Sequence, residues 1–224
     1  MSPVSPERHD MRLIFSAAVA VTLVGGIVLV GCGPSTTQST NTQASAPAPA
    51  PKKEPVLYTG KSCLSQMAGM AARWAPDALP YHLESVLNAE SDGHDGKATV
   101  WQGMFAASSR RTYRVFTCSG SRLPDSPPLG VTSTPETPYS AEVPRLMFQP
   151  FQLGTDSDAA YAMAQEKGGA KLLEKNPKQP VMYFLDWDAK NKELHWVVLY
   201  GESLKQAKGQ GVIDATSGRF LRAG

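Results

Sequence analysis

Apolar and polar positions along the chain fall into three regimes. Leu13 to Val30 is almost wholly apolar, interrupted by Gly25-Gly26, and follows a modestly basic start with Arg8, His9 and Arg12. This layout predicts an export signal. The alternative is an uncleaved anchor, because the run approaches the length of a membrane span. Residues 33–55 (GPSTTQSTNTQASAPAPAPKKEP) lose all apolar periodicity, and Ala alternates with Pro from 46 to 51. Such a stretch buries too little surface to offset its ordering entropy. A disordered spacer is expected there, stiff in its Ala-Pro part. Patterns typical of folded elements begin at residue 56.

Those patterns state one order twice. From Ser62, the residues Cys63, Met67, Met70 and Trp74 recur at helical spacing until Pro76. Strand-like runs follow at Tyr81–Ala89, Ala98–Ala107 and Thr112–Cys118, the first two joined by the hairpin signal Asp92-Gly93-His94-Asp95-Gly96. From Asp156 a second helix carries Ala159, Met163, Ala170 and Leu173 and closes at Asn176-Pro177. Runs at Val181–Trp187, Leu194–Tyr200 and Gly211–Asp214 follow, with an end strand at Arg219–Leu221. Trp101 and Trp196 each stand in a middle strand. The pattern repeats although few letters do.

Between the copies, prolines at 124, 127, 128, 135, 138, 144 and 150 argue against regular structure in residues 121–154. Leu146-Met147-Phe148 and Phe151 are too apolar for a free linker. They predict a strap that packs Phe148 and Phe151 into a groove. Alternation leaves one face of the first run wet, with His82, Glu84, Asn88 and Glu90. In the second copy Val181, Tyr183, Leu185 and Trp187 oppose Met182 and Phe184, and Leu194, Trp196, Val198 and Tyr200 oppose Val197 and Leu199. Strands apolar on both faces are covered on both. The expected fold is α+β: two tandem units, each a helix on a small antiparallel sheet, after a disordered tether. The divisions are 1–31 signal, 32–55 linker, 56–120 first unit, 121–154 strap and 155–224 second unit.

Two resemblances sharpen this. Leu29-Val30-Gly31-Cys32 resembles the lipobox of bacterial lipoproteins, which implies cleavage before Cys32 and a lipid on that cysteine. The protein would then be a membrane-anchored, extracytoplasmic lipoprotein. Gly33, rather than aspartate, after the cysteine implies the outer membrane in a Gram-negative cell. Ala159-Ala160-Tyr161-Ala162-Met163-Ala164, Gly168-Gly169, Pro180-Val181, His195-Trp196-Val197-Val198 and Val212-Ile213-Asp214-Ala215-Thr216-Ser217-Gly218 resemble the PepSY-like family of small extracytoplasmic domains. That resemblance implies a helix on an antiparallel sheet, and binding or inhibition rather than catalysis. Tandem units of this shape are also similar in fold to beta-lactamase inhibitor proteins.

Composition changes little. The 224 residues carry a formal charge of +2, and Glu7, Arg8, Asp10 and Arg12 cancel within the leader. So mild a charge gives no support for nucleic-acid binding. With Cys32 assigned to the lipid, Cys63 and Cys118 remain. An oxidising setting makes their disulfide the default, with two buried free thiols, or a metal or redox pair, as the alternatives.

Candidate chemistry is sparse. His9, His82, His94 and His195 lack zinc-helix spacing, and no HExxH or GxSxG occurs. Asp92-Gly93-His94-Asp95 reads as a turn rather than a ligand cluster. Asp186-Trp187-Asp188 fails as a calcium loop, because Lys190 and Val197 occupy ligand positions. Gly168-Gly169 and Gly209-Gln210-Gly211 lack the lysine and hydroxyl of a phosphate loop. No catalytic residue, cofactor or metal is expected. Trp187 and the cluster Arg110, Arg111 and Arg114 are the candidate partner contacts. The leading expectation is a non-catalytic binding module at the cell envelope, holding a protein or peptide on a sheet surface. The alternative is an inhibitor or regulator of an extracytoplasmic protease or other hydrolase. A hydrolase with unrecognised residues is a third.

Overall fold

A computed structural model describes residues 53–224. The export signal, the Cys32 lipid site and almost all of the spacer lie outside the described residues. The element order is β1 (Tyr58–Thr59), α1 (Gly60–Trp74), β2 (Ala78–Ser85), β3 (Lys97–Ala98), β4 (Val100–Ala107), β5 (Thr112–Ser119), β6 (Gly130–Ser133), β7 (Thr137–Pro138), α2 (Val143–Leu146), α3 (Ser157–Ala164), α4 (Ala170–Lys175), β8 (Val181–Asp188), β9 (Glu193–Tyr200), β10 (Gly209–Asp214) and β11 (Phe220–Ala223). Among the described residues, no helix is long and apolar enough to cross a membrane.

Nine strands form one sheet in the order β11-β10-β9-β8-β2-β4-β5-β6, with β7 also on β5. From the central β2–β8 pair the strands run outward in chain order on both sides. The pairing is antiparallel, matching His82 with Asp186, Leu83 with Leu185 and Glu84 with Phe184. The helices of both halves contribute to one core with these strands, including Cys63, Met67, Trp101, Tyr183, Trp196 and Ile213. The fold is therefore mixed α and β on a mostly antiparallel sheet, and its two halves share one core.

The centre of that core is a pair of indoles. Trp101 and Trp196 meet edge to face with centroids 6.2 Å apart. Each is fully buried, so each N–H needs an acceptor. Trp101 donates to the Tyr58 carbonyl at 2.9 Å and Trp196 to the Thr155 carbonyl at 2.8 Å, each just ahead of its own half's helix. Gly60 opens α1 between the two rings. A Cβ there would come within 2.5 Å of the Trp196 ring, so only glycine lets the helix start so close.

Helix starts leave backbone N–H groups without partners, and the halves exchange caps. Thr59 caps α1 from its own side, accepting from Ser62 N–H at 3.3 Å. Asp156 caps α3 and also accepts from Lys61 N–H at 2.9 Å. Ser157, fully buried, accepts from Gly60 N–H at 2.8 Å and donates to the Gly96 carbonyl at 2.6 Å. Ser157→Ala would leave two buried backbone groups unpaired. It is expected to lower the unfolding free energy by about 2 kcal/mol, read as a lower urea midpoint at unchanged slope.

Several sequence expectations shift. The first strand runs from Ala78 to Ser85 rather than from Tyr81 to Ala89. Asn88 instead bonds Thr99 and Glu90 within a long connection. The Asp92–Gly96 stretch lies in that connection, not in a tight hairpin. Gly93 and Gly96 both take φ of +79°, and a Cβ on either would strike the second half's backbone, at Val181 and Asp158 respectively. The second helix breaks into α3, a π turn at Gln165–Gly169 with Gly168 at φ +123°, and α4. Of the expected stripe, Met163 and Leu173 pack against the core beside the buried Ala160 and Ala164, while Ala159 and Ala170 are exposed.

Residues 121–154 do hold regular structure. Gly130–Ser133 is free of proline and forms an edge strand on β5, and Pro135 lies beyond it, where a missing N–H breaks no ladder. Phe148 enters the core and its N–H bonds the Pro80 carbonyl at 2.9 Å. Phe151 does not pack and stays 83% exposed.

Candidate functional site

Alternation along the strands gives the sheet two faces. One carries the indoles and lies under the helices. The other is set by register, with His195, Asp186, His82, Met104 and Val115 opposite one another across β9, β8, β2, β4 and β5. A parallel row runs Val212, Val197, Phe184, Glu84, Gln102 and Thr117. Val212 and His195 are buried, but Phe184, Val197, Met104, Val115 and Met182 are only half-buried. The apolar residues of this face flank β2, with Met182, Phe184 and Val197 on one side, Met104 and Val115 on the other and His82 and Glu84 between them, and we refer to it as the open face.

A charged group sits in the middle of it. His82 Nδ1 lies 2.6 Å from Asp186 Oδ1, and its Nε2 lies 3.6 Å from Glu84 Oε2. The ring also stands 6.2 Å from that of Phe184. Burial pulls the imidazole toward the neutral form. The hydrogen bonds to Asp186 and Glu84 outweigh it and raise the pKa from about 6.5 to about 9. The imidazolium is thus the favoured form at neutral pH, donating from Nδ1 to Asp186 and facing Glu84 across an ion-pair contact with Nε2.

Because this pKa is raised by folding, the stabilisation is fully present below about pH 6.5 and is lost as pH climbs through about 9. The expected loss is about 1–3 kcal/mol, tempered by the half-exposed Asp186 carboxylate. Urea unfolding at pH 6.5 and pH 9.5 reads it, and His82→Gln should flatten the difference.

At the β10–β11 turn, burial raises the Asp214 pKa, but the Ser217 hydroxyl and the Thr216 and Ser217 amides more than offset it and hold the carboxyl low. Ser217 Oγ donates to Asp214 Oδ2 at 2.7 Å. His195 Nε2 lies 3.0 Å from Glu193 Oε2. Tyr81 and Tyr113 meet edge-on at 6.0 Å, and burial raises the Tyr81 phenol to about 12. No group of three His, Cys, Asp or Glu side chains among the described residues is placed to hold a metal ion. No protein-family model, curated protein or solved structure matches this chain.

The residues singled out from sequence are dispersed. Trp187 lies on the helix side of β8, half-buried and packed against the core, and Asp186 and Asp188 flank it on the same strand. Arg110 and Arg114 both bond Glu136 Oε1 at 3.2 Å, beside the Trp74 N–H at 2.7 Å. The Trp74 hydrogen bond leads the causes that hold the Glu136 carboxyl below its usual range. The Arg114 guanidinium also stacks over Trp74, 5.1 Å from the centroid. Arg111 is exposed at a turn with φ +55°.

Cys63 and Cys118 form a disulfide between α1 and β5. The His82–Asp186 pair was not read from sequence, since its partners come from strands of different halves. The available signal was parity: each falls on the side of its strand away from the core residues.

A separate cleft of about 670 Å³ opens between the residue 87–95 connection, Leu57, Lys178, Pro180 and Glu202. Glu90 on its wall accepts from Ser121 Oγ at 2.5 Å and from Arg122 N–H at 3.0 Å. The cleft lies where the described chain begins, since Val56 N–H bonds the Gly120 carbonyl at 2.9 Å.

Proposed function

We propose that this chain is a lipid-anchored cell-envelope protein, attached through Cys32, that works as a non-catalytic binding module. Its partner is a protein or peptide held on the open face of the sheet. The observation that carries this is the half-buried apolar surface of Met104, Val115, Met182, Phe184 and Val197, which flanks the His82–Glu84 strand on both sides. Solvent-accessible apolar surface rimming a polar centre marks an interaction site more often than a solvated wall.

The two halves are copies of one helix-plus-four-strand unit, related about the β2–β8 pair. The mirrored strand order, the paired indoles and the matching indole-to-carbonyl bonds support this. The resemblance of residues 159–218 to PepSY-like domains supports a binding role for the second copy. Restraint of an extracytoplasmic hydrolase is the same binding with an enzyme as partner.

The test is a retention assay with the full-length chain in membrane extracts. Phe184→Asp/Val197→Asp should release a partner that the wild type retains. Ala72→Asp, on the exposed side of α1, should keep it. Retention by the open-face variant and release by the helix variant would overturn the reading.

A further inference from the structure

The open face is not electrically neutral. Register and parity place Glu84, Asp186, Asp188, Glu193 and Asp214 on it, against His82, Arg222 and Arg219 as cations, the last lying 3.8 Å from Glu193, so carboxylates outnumber cations five to three. The central cation is shared: His82 lies between Asp186 and Glu84, so one positive charge serves two carboxylates beside Phe184. Their side chains remain open to solvent, Asp186 at 48% and Glu84 at 28%. Asp188 is held in place by the Lys190 and Asn191 amides, at 2.9 and 3.1 Å, and Asp214 by its own turn. These hydrogen bonds orient the carboxylates without removing their charge.

Resting on the reading of this face as the binding surface, we propose that its occupant is a protein loop or hairpin presenting a lysine or arginine beside an aromatic or aliphatic side chain. The apolar residue seats on Phe184, Met182 and Val197. The cation takes the charge left over on the Glu84–His82–Asp186 group. Complementary potentials of this kind steer encounter and select partners. A second copy docked face to face would set five carboxylates against five, and an anionic lipid surface would be repelled.

The test uses the full-length chain in non-ionic detergent, with ¹³C-methyl methionine labelling. The probes are three cyclised hairpin peptides alike except for tips of Lys-Trp-Lys, Glu-Trp-Glu or Lys-Ser-Lys. The Lys-Trp-Lys peptide should shift the Met104 and Met182 methyl signals and leave Met67, buried in the core, in place. The Glu-Trp-Glu and Lys-Ser-Lys peptides should each bind at least tenfold more weakly, and Glu84→Gln should weaken Lys-Trp-Lys severalfold. Equal binding of the Lys- and Glu-flanked tips would overturn the cationic partner while leaving the open face as the surface. Absence of methyl shifts with all three peptides would overturn the proposed occupant. Shifts confined to Met67 and Met70 would overturn the open face as well.

Discussion

Trp196→Ala is expected to lower the unfolding free energy by about 3–5 kcal/mol, and Trp101→Ala by a similar amount. Each indole is fully buried, and each removal opens a large cavity and leaves a carbonyl, Thr155 or Tyr58, without its donor. Set against a typical total of about 5–15 kcal/mol, either change brings the fold close to its limit. The rings touch, so the double variant should lose less than the sum, by about 0.5–1.5 kcal/mol. Equilibrium denaturation of the three variants measures this. Full additivity would mean that the indoles do not share one core.

Loss of the Cys63–Cys118 bond is the second large effect. The cysteines are separated by 55 positions in sequence and lie on α1 and β5. In the chain-entropy treatment, closing a loop of that length stabilises the fold by about 4 kcal/mol. Cys63→Ala/Cys118→Ala should show that loss as a lower denaturant midpoint. The bond lies wholly in the first half, so amide exchange should rise first in α1 and later in α3. A uniform rise would indicate that the bond holds the whole sheet rather than its own half.

The sequence carried the local design well and the joint between halves poorly. The Cys63–Met67–Met70–Trp74 stripe and the two-faced runs at 181–187 and 194–200 are periodic, and periodicity survives burial. The indole correspondence was legible because tryptophan is rare and each sits mid-strand. What escaped depends on distant partners. Pairing of β2 with β8 joins residues that no local pattern links, and it turned two expected sheets into one. The Asp92–Gly96 glycines looked like hairpin chemistry, yet they provide clearance for Val181 and Asp158. The proline count in residues 121–154 hid the proline-free stretch 129–134, wide enough for β6.

Site residues divide the same way. Arg110 and Arg114 looked free because Glu136, their partner, lies in the stretch expected to lack structure. Trp187 looked exposed because two aspartates flank it, although strand parity turns it inward. The open face was half visible: His82 and Glu84 read as wet, and Met182 and Phe184 as needing cover. Only the register of β2 against β8 puts them on one surface.

Site-specific photocrosslinking in intact cells tests the central claim most directly. A photoreactive residue at Val197, Met104 or Gln102 should capture one and the same partner, and one at Ala72 or Lys171 on the exposed helix surface should capture none. Crosslinks from Ala72 and Lys171, with none from the three sheet positions, would contradict the account.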